Sequence, residues 1–139
     1  MSNLKVPLVI LSANTMTRRQ VVRVLSASIA DVRQELPSLA RAEHYVARLD
    51  EEEPLPVVVM IDAGTDQACP AARWRAFCDE LHDRGIRLLV YGCAPRAGRR
   101  AWTWVRRRYG ADTYLTRDDG VLQCMRAILN LAHDAGMAL

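Results

Sequence analysis

Five times along the chain, a short apolar run is followed by a longer segment whose apolar residues recur at helical spacing. Val6 to Leu11 (V-P-L-V-I-L) reads as a buried strand. Met16, Val21, Val24 and Leu25 then share a helix face, with Asn14 or Thr15 available as the N-cap. A weaker strand is expected from Ile29 to Gln34. Pro37 and Ser38 open a second helix that reaches about Leu49, with Leu39, Ala42, Val46 and Leu49 on one face. Val57 to Ile61 is the clearest strand, and a helix from about Ala71 to His82 follows and stops at Gly85. Ile86 to Tyr91 is a fourth strand, and Ala97 to Tyr109 a fourth helix ending at Gly110. Thr113 to Thr116 and Gly120 to Ala135 supply the last strand and a very apolar last helix.

Strict alternation of strand and helix is how parallel strands are joined, because a parallel partner needs a crossover connection. Strands that are almost wholly apolar must be covered on both faces. With 139 residues there is room for one such domain, residues 1–139, and not for two cores. Five units at this length favour a doubly wound, flavodoxin-like α/β sheet of strand order 2-1-3-4-5. Its working edge is the carboxyl end of the strands, where the loops after Leu11, Ile61, Tyr91 and Leu115 gather. Half the residues are apolar and a quarter charged, the balance of a globular chain. No apolar run approaches the ~18 residues of a membrane span. The opening Met-Ser-Asn-Leu-Lys starts no export signal, since the apolar stretch after it breaks at Ser12. Cys69, Cys78, Cys93 and Cys124 have no C-x-x-C spacing, so free thiols in a cytoplasmic protein are expected and no metal or other cofactor is implied.

Three segments resemble one family. Gly110-Ala111-Asp112-Thr113-Tyr114-Leu115-Thr116-Arg117 looks like the stretch around the fifth strand of response-regulator receiver domains, G-A-x-x-[YF]-[LI]-x-K-P. Val57 to Asp62, after A-R-A-E-H-Y-V-A-R-L-D-E-E-E-P, resembles the receiver's second helix and third strand. The start, V-I-L-S-A-N-T-M-T-R-R-Q-V-V-R-V-L, resembles its first strand and helix. The resemblance implies a single receiver-like domain in bacterial two-component signalling. It places Asp62 at the phosphoacceptor position and Tyr114 at the switch aromatic.

The same resemblance shows a degenerate chemistry. The acidic pair that helps hold Mg²⁺ corresponds to Ser12 and Ala13, which cannot replace two carboxylates around a hard cation. The phosphoryl-binding Ser/Thr corresponds to Tyr91 or Gly92, the lysine to Arg117 and the following proline to Asp118. Lys5, the only lysine, lies before the first strand. Phosphoryl transfer depends on placing and neutralising charge, so Asp62 alone should accept phosphate poorly. Instead Asp62 is expected to pair with Arg117, whose guanidinium can grip a carboxylate with two bonds, and so mimic a fixed state of the switch. The expected role is that of a pseudo-receiver: no enzyme, but a regulatory module that binds a protein partner. By resemblance its docking face is Ala97–Tyr109, Thr113–Thr116 and Gly120–Ala135. Val121, Leu122, Met125, Ile128, Leu129 and Leu131 exceed one helical stripe, which suggests a homodimer through that face.

Charge distribution offers alternatives. Arg84 to Tyr109 holds eight arginines and no acid, whereas Glu43 to Glu53 holds five acids and one arginine. Arg96, Arg99, Arg100, Arg106, Arg107 and Arg108 crowd the fourth helix. They form either a solvated face, a partner face, or an arginine-lined sensor of an anion such as a cyclic dinucleotide. Trp102 shares a face with Val105 and Tyr109, the core side. Trp104 shares one with Arg100, Arg107 and Arg108, the composition of an interface hot spot. Trp74 is expected in the core. Cys93-A-P-R-A-G-Arg99 has the C-x5-R form of a thiol phosphatase loop, as has Cys69 to Arg75, although Arg100 replaces the usual Ser/Thr. His44, His82 and His133 share no spacing. With no helix-turn-helix or other DNA-reading module after the domain and a net charge of only +3, DNA is not expected as a partner, and with no apolar run long enough to span it neither is a membrane.

Overall fold

The computed structural model describes residues 4–51, 55–94 and 99–138. Five parallel strands form one sheet: β1 (Val6–Leu11), β2 (Ala30–Leu36), β3 (Val58–Asp62), β4 (Arg87–Cys93) and β5 (Thr113–Thr116). Their order across the sheet is β2-β1-β3-β4-β5, as the alternation of elements implied. The helices are α1 (Thr15–Ser26), α2 (Leu39–Ala47), α3 (Ala71–Asp83), α4 (Arg99–Arg108) and α5 (Val121–Asp134).

Successive side chains of a strand point to opposite faces, so each central strand feeds two cores. Val9, Leu11, Val59, Ile61, Leu88 and Val90 meet Leu39 of α2, Trp74 and Leu81 of α3, and Val105 of α4. Leu8, Ile10, Val58, Met60 and Leu89 meet Leu25 of α1 and Ile128 and Leu131 of α5. Each fully buried Leu, Ile or Val contributes about 1.5–3 kcal/mol of transfer free energy. Those contributions align β1, β3 and β4, and their carboxyl ends therefore open together.

Boundaries differ from the sequence expectation where pairing outweighs pattern. β2 continues past Gln34 to Leu36 because it pairs along all of β1, with Arg33 bulged out between Leu8/Val32 and Val9/Gln34. As an edge strand it is polar and partly exposed (A-D-V-R-Q-E-L), which hides its period. Helix α2 stops at Ala47, and a 3-10 turn, Leu49–Glu51, still buries Leu49. Strand β4 runs on through Gly92 to Cys93. Asn14, not Thr15, caps α1, accepting the Thr17 N–H at 3.0 Å. The expected start of the fourth helix at Ala97 and the acids Glu52 and Glu53 lie outside the described residues.

Candidate functional site

Asp62 is the last residue of β3, and its side chain stands at the carboxyl edge between β1 and β4. The run Asp-Ala-Gly-Thr turns the chain there. Gly64 N–H donates to Asp62 Oδ1 at 3.0 Å, an Asx-type turn, and Thr65 N–H donates to the Asp62 carbonyl at 3.0 Å. The second carboxylate oxygen, Oδ2, accepts the Ser12 hydroxyl at 2.8 Å. Ser12 itself is fully buried, accepts the Asn14 N–H at 3.3 Å, and its carbonyl is held by Arg18 Nη1 at 2.6 Å. Thr65, also fully buried, accepts the Ala13 N–H at 3.0 Å and so ties the loop after β1 to the loop after β3. Ser12, Thr65 and Gly64 thus form a latch around Asp62. The position of Asp62 at the end of its strand was legible in sequence, whereas the roles of Gly64, Thr65 and Arg18 were not, because those of Thr65 and Arg18 depend on which loops lie side by side.

Of Tyr91 and Gly92, it is Gly92 that stands over the carboxylate. It has φ +75°, and a Cβ built on it would lie 3.2 Å from Asp62 Oδ1. Tyr91 points to the α1/α5 core. Its hydroxyl lies near Ser12 without a well-formed hydrogen bond, and burial first, then the Asp62 charge, pushes its pKa up. The donor set around Asp62 is one carboxylate, one hydroxyl already donating to it, a methyl and a glycine. These residues do not fit a hard divalent cation, which needs several oxygen ligands. Among the described residues no group of three or more His, Cys, Asp or Glu side chains could hold a metal.

The expected Asp62–Arg117 pair does not form. Both residues line one open groove of about 1340 Å³ at this edge, as the topology required. Arg117 extends β5 through its N–H to the Cys93 carbonyl (2.9 Å), but its exposed side chain bonds to none of the described residues. The reason is local competition. The short Ser12 hydroxyl and the Gly64 backbone N–H already reach the carboxylate, whereas an arginine would surrender up to ~2 kcal/mol of rotamer freedom to do so.

Cys93 is a buried residue of β4 rather than part of an exposed loop, and the Pro95–Gly98 portion of its C-x5-R run lies outside the described residues. Burial, with the Asp62 charge second, pushes the Cys93 thiol up to about 11. A thiol phosphatase needs the reverse, a thiolate at neutral pH. Iodoacetamide at pH 8 is expected to alkylate the partly exposed Cys69 while Cys93 stays unmodified, as peptide mapping would show. His82 joins the loop before β5 through Asp112, which is 2.9 Å from Nε2 and accepts the Leu88 N–H at 2.7 Å.

Helix α4 divides as its spacing implied. Trp102 packs inward, its ring stacked on Tyr114 at 5.6 Å and 19°. Trp104 is 42% exposed. Arg108, read from sequence as part of the same outward stripe, is committed to the fold. Its Nη2 donates to the carbonyls of Asp66 (3.3 Å), Gln67 (3.0 Å) and Cys69 (3.1 Å). That loop also carries Asp66, whose φ is +47° and whose Oδ2 accepts the Leu39 N–H at the start of α2. Arg100 and Arg107 remain exposed and bond to none of the described residues. Arg96 and the Arg99 side chain lie outside the described residues.

Solved structures with this architecture decide the fold. The receiver domain of a CheY-like response regulator from Methanospirillum hungatei JF-1 superposes with a TM-score of 0.69 at 12% identity, covering 95% of this chain and 96% of that one. The signal receiver domain of the NarL response regulator from Mycobacterium tuberculosis gives 0.68 at 22% identity, over 94% and 98%. That of a signal transduction histidine kinase from Syntrophus aciditrophicus gives 0.70 at 11%, over 95% and 93%. The chain has the receiver fold. No protein-family model matches the sequence, and no curated protein matches it. Within the receiver fold Asp62 ends the third strand, Ser12 and Ala13 follow the first, Arg117 follows the fifth and Tyr114 lies in the fifth. No helix among the described residues is long and apolar enough to cross a membrane.

Proposed function

We propose that this chain is a phosphorylation-independent pseudo-receiver: a cytoplasmic, non-enzymatic regulatory module of bacterial signal transduction that works by docking a protein partner. The observation that supports this most is the latch. Asp62 has one oxygen on the Ser12 hydroxyl and the other on the Gly64 N–H. No second carboxylate stands at Ser12 or Ala13, and no lysine at Arg117. A site of this kind holds one conformation and leaves the outer faces to do the work.

The docking face we assign is the outer side of α4. Trp104 presents its indole there, between Arg100 and Arg107. A half-exposed tryptophan ringed by guanidiniums is the usual composition of an interface hot spot. Arg108 supports Trp104 from behind, with its guanidinium carbon 5.9 Å from the indole centroid. A homodimer through α4, β5 and α5 would use the neighbouring apolar surface, where Leu122 is 70% exposed.

The test begins with a partner captured on the full chain and then purified. Its affinity is measured by titration calorimetry against wild type, Asp62→Asn and Trp104→Ala. Trp104→Ala should cost about 2 kcal/mol or more, the scale of a hot-spot truncation. Asp62→Asn should leave the affinity unchanged. A partner that prefers chain treated with a phosphodonor, and loses that preference in Asp62→Asn, would overturn the proposal.

A further inference from the structure

A concave pocket of about 450 Å³ opens between the first turn of α3 and the outer side of α4, lined by Ala71, Arg100, Thr103, Trp104, Arg107 and Arg108. Its chemistry is unusually one-sided. Three of the six lining side chains are guanidiniums and none is a carboxylate. Helix α4 has no acid anywhere in its sequence R-R-A-W-T-W-V-R-R-R. Arg100 and Arg107 stand four residues before and three residues after Trp104, so both border the indole on one helix face. Neither guanidinium bonds to a described residue, whereas Arg108 is held by three carbonyls. The indole is kept in place from below: its ring meets Tyr109 edge-on at 5.7 Å, with the Arg108 guanidinium 5.9 Å from its centroid.

We infer that this pocket binds a nucleotide, with the base stacked on Trp104 and the phosphates gripped by Arg100 and Arg107. An aromatic plane gives any base a partner for stacking, and guanidinium forks match phosphate oxygens two at a time. A purely apolar ligand would leave the two guanidiniums unmatched, and inorganic phosphate alone would leave the indole bare. The lining also predicts selectivity. The lining has no amide to read adenine and no carboxylate to read cytosine, Thr103 can bond to any base, and the guanidiniums that could read guanine are engaged by the phosphates or, for Arg108, by the loop carbonyls. The site should therefore distinguish ligands by phosphate charge and ring area, not by base identity. An occupied pocket covers Trp104, so nucleotide and protein partner would compete. The nucleotide needs no partner, however, and its failure to bind would leave the docking role of α4 standing.

Calorimetry on the full chain at low salt tests this with ADP, GDP, adenosine and inorganic phosphate as probes. ADP and GDP should bind alike, within about threefold, while adenosine and phosphate alone should each bind at least about tenfold more weakly. Trp104→Ala and the double variant Arg100→Ala/Arg107→Ala should each weaken ADP by about tenfold or more. All these side chains are exposed, so unchanged circular dichroism and melting will establish that the variants are folded. The indole N–H resonance lost in Trp104→Phe should be the one that shifts on adding ADP. Absence of ADP binding at millimolar concentration, or equal binding by Trp104→Ala, would overturn the site. Binding of a single-stranded oligonucleotide more than about tenfold tighter than ADP would overturn the nucleotide in favour of nucleic acid.

Discussion

Ser12→Asp is expected to destabilise the protein by about 3–5 kcal/mol at neutral pH, the scale of an uncompensated buried charge. Ser12 is fully buried and donates its hydroxyl to Asp62 Oδ2 at 2.8 Å. An aspartate there replaces a donor with a second acceptor and sets carboxylate against carboxylate. Two carboxylates so close share one proton, so the folded state raises the pKa of one of them above its unfolded value near 4. A raised folded pKa means the folded variant binds a proton that the unfolded chain has released. The variant's deficit is therefore smallest below about pH 4, grows as pH rises through the raised pKa, and is complete above it. Urea unfolding at intervals from about pH 4 to pH 7 would trace this curve. Ser12→Asn keeps a neutral donor, and its cost should be smaller and flat with pH. A Ser12→Asp variant as stable as wild type at pH 7 would mean that Asp62 is not held as described.

Arg108→Ala should cost about 2–4 kcal/mol, although its residue looks like one more arginine on a basic helix. Truncation takes this donor from the carbonyls of Gln67 and Cys69, and from that of Asp66, which keeps the Cys69 N–H and the Trp74 indole N–H. It also removes the guanidinium from the faces of Trp104 and Tyr109, 5.9 and 5.7 Å from its centre. Arg107→Ala, one residue away and exposed, should cost less than about 0.5 kcal/mol. Hydrogen exchange should show the effect concentrated in the amides of residues 64–69, the loop that supplies the Gly64 N–H to Asp62. Equal stability of the two variants would return Arg108 to the docking face.

The sheet was legible in the sequence because β1, β3 and β4 are buried on both faces, so their runs are apolar without interruption. β5 was legible through the Gly110-to-Arg117 resemblance and β2 only in part, since an edge strand obeys its neighbour's hydrogen bonds more than its own hydropathy. Asp62 was found by resemblance, but its partner was misassigned. A pairing of Asp62 with Arg117 assumes that charge seeks charge, whereas the structure meets the carboxylate with a hydroxyl and an amide already in place. Ser12 carried the answer in chemical terms, being a hydroxyl donor beside a carboxylate. The distinction between Arg107 and Arg108 was hidden for a different reason. Adjacent helix positions differ by about 100°, and only the position of the β3–α3 loop decides which of two arginines it captures.

We propose that the latched Asp62 takes no phosphoryl group. Intact-mass spectrometry of the full chain after incubation with acetyl phosphate and Mg²⁺ tests it most directly, with Asp62→Asn run in parallel. Both proteins should keep one unmodified mass. A gain of one phosphoryl group by wild type, absent from Asp62→Asn, would contradict it.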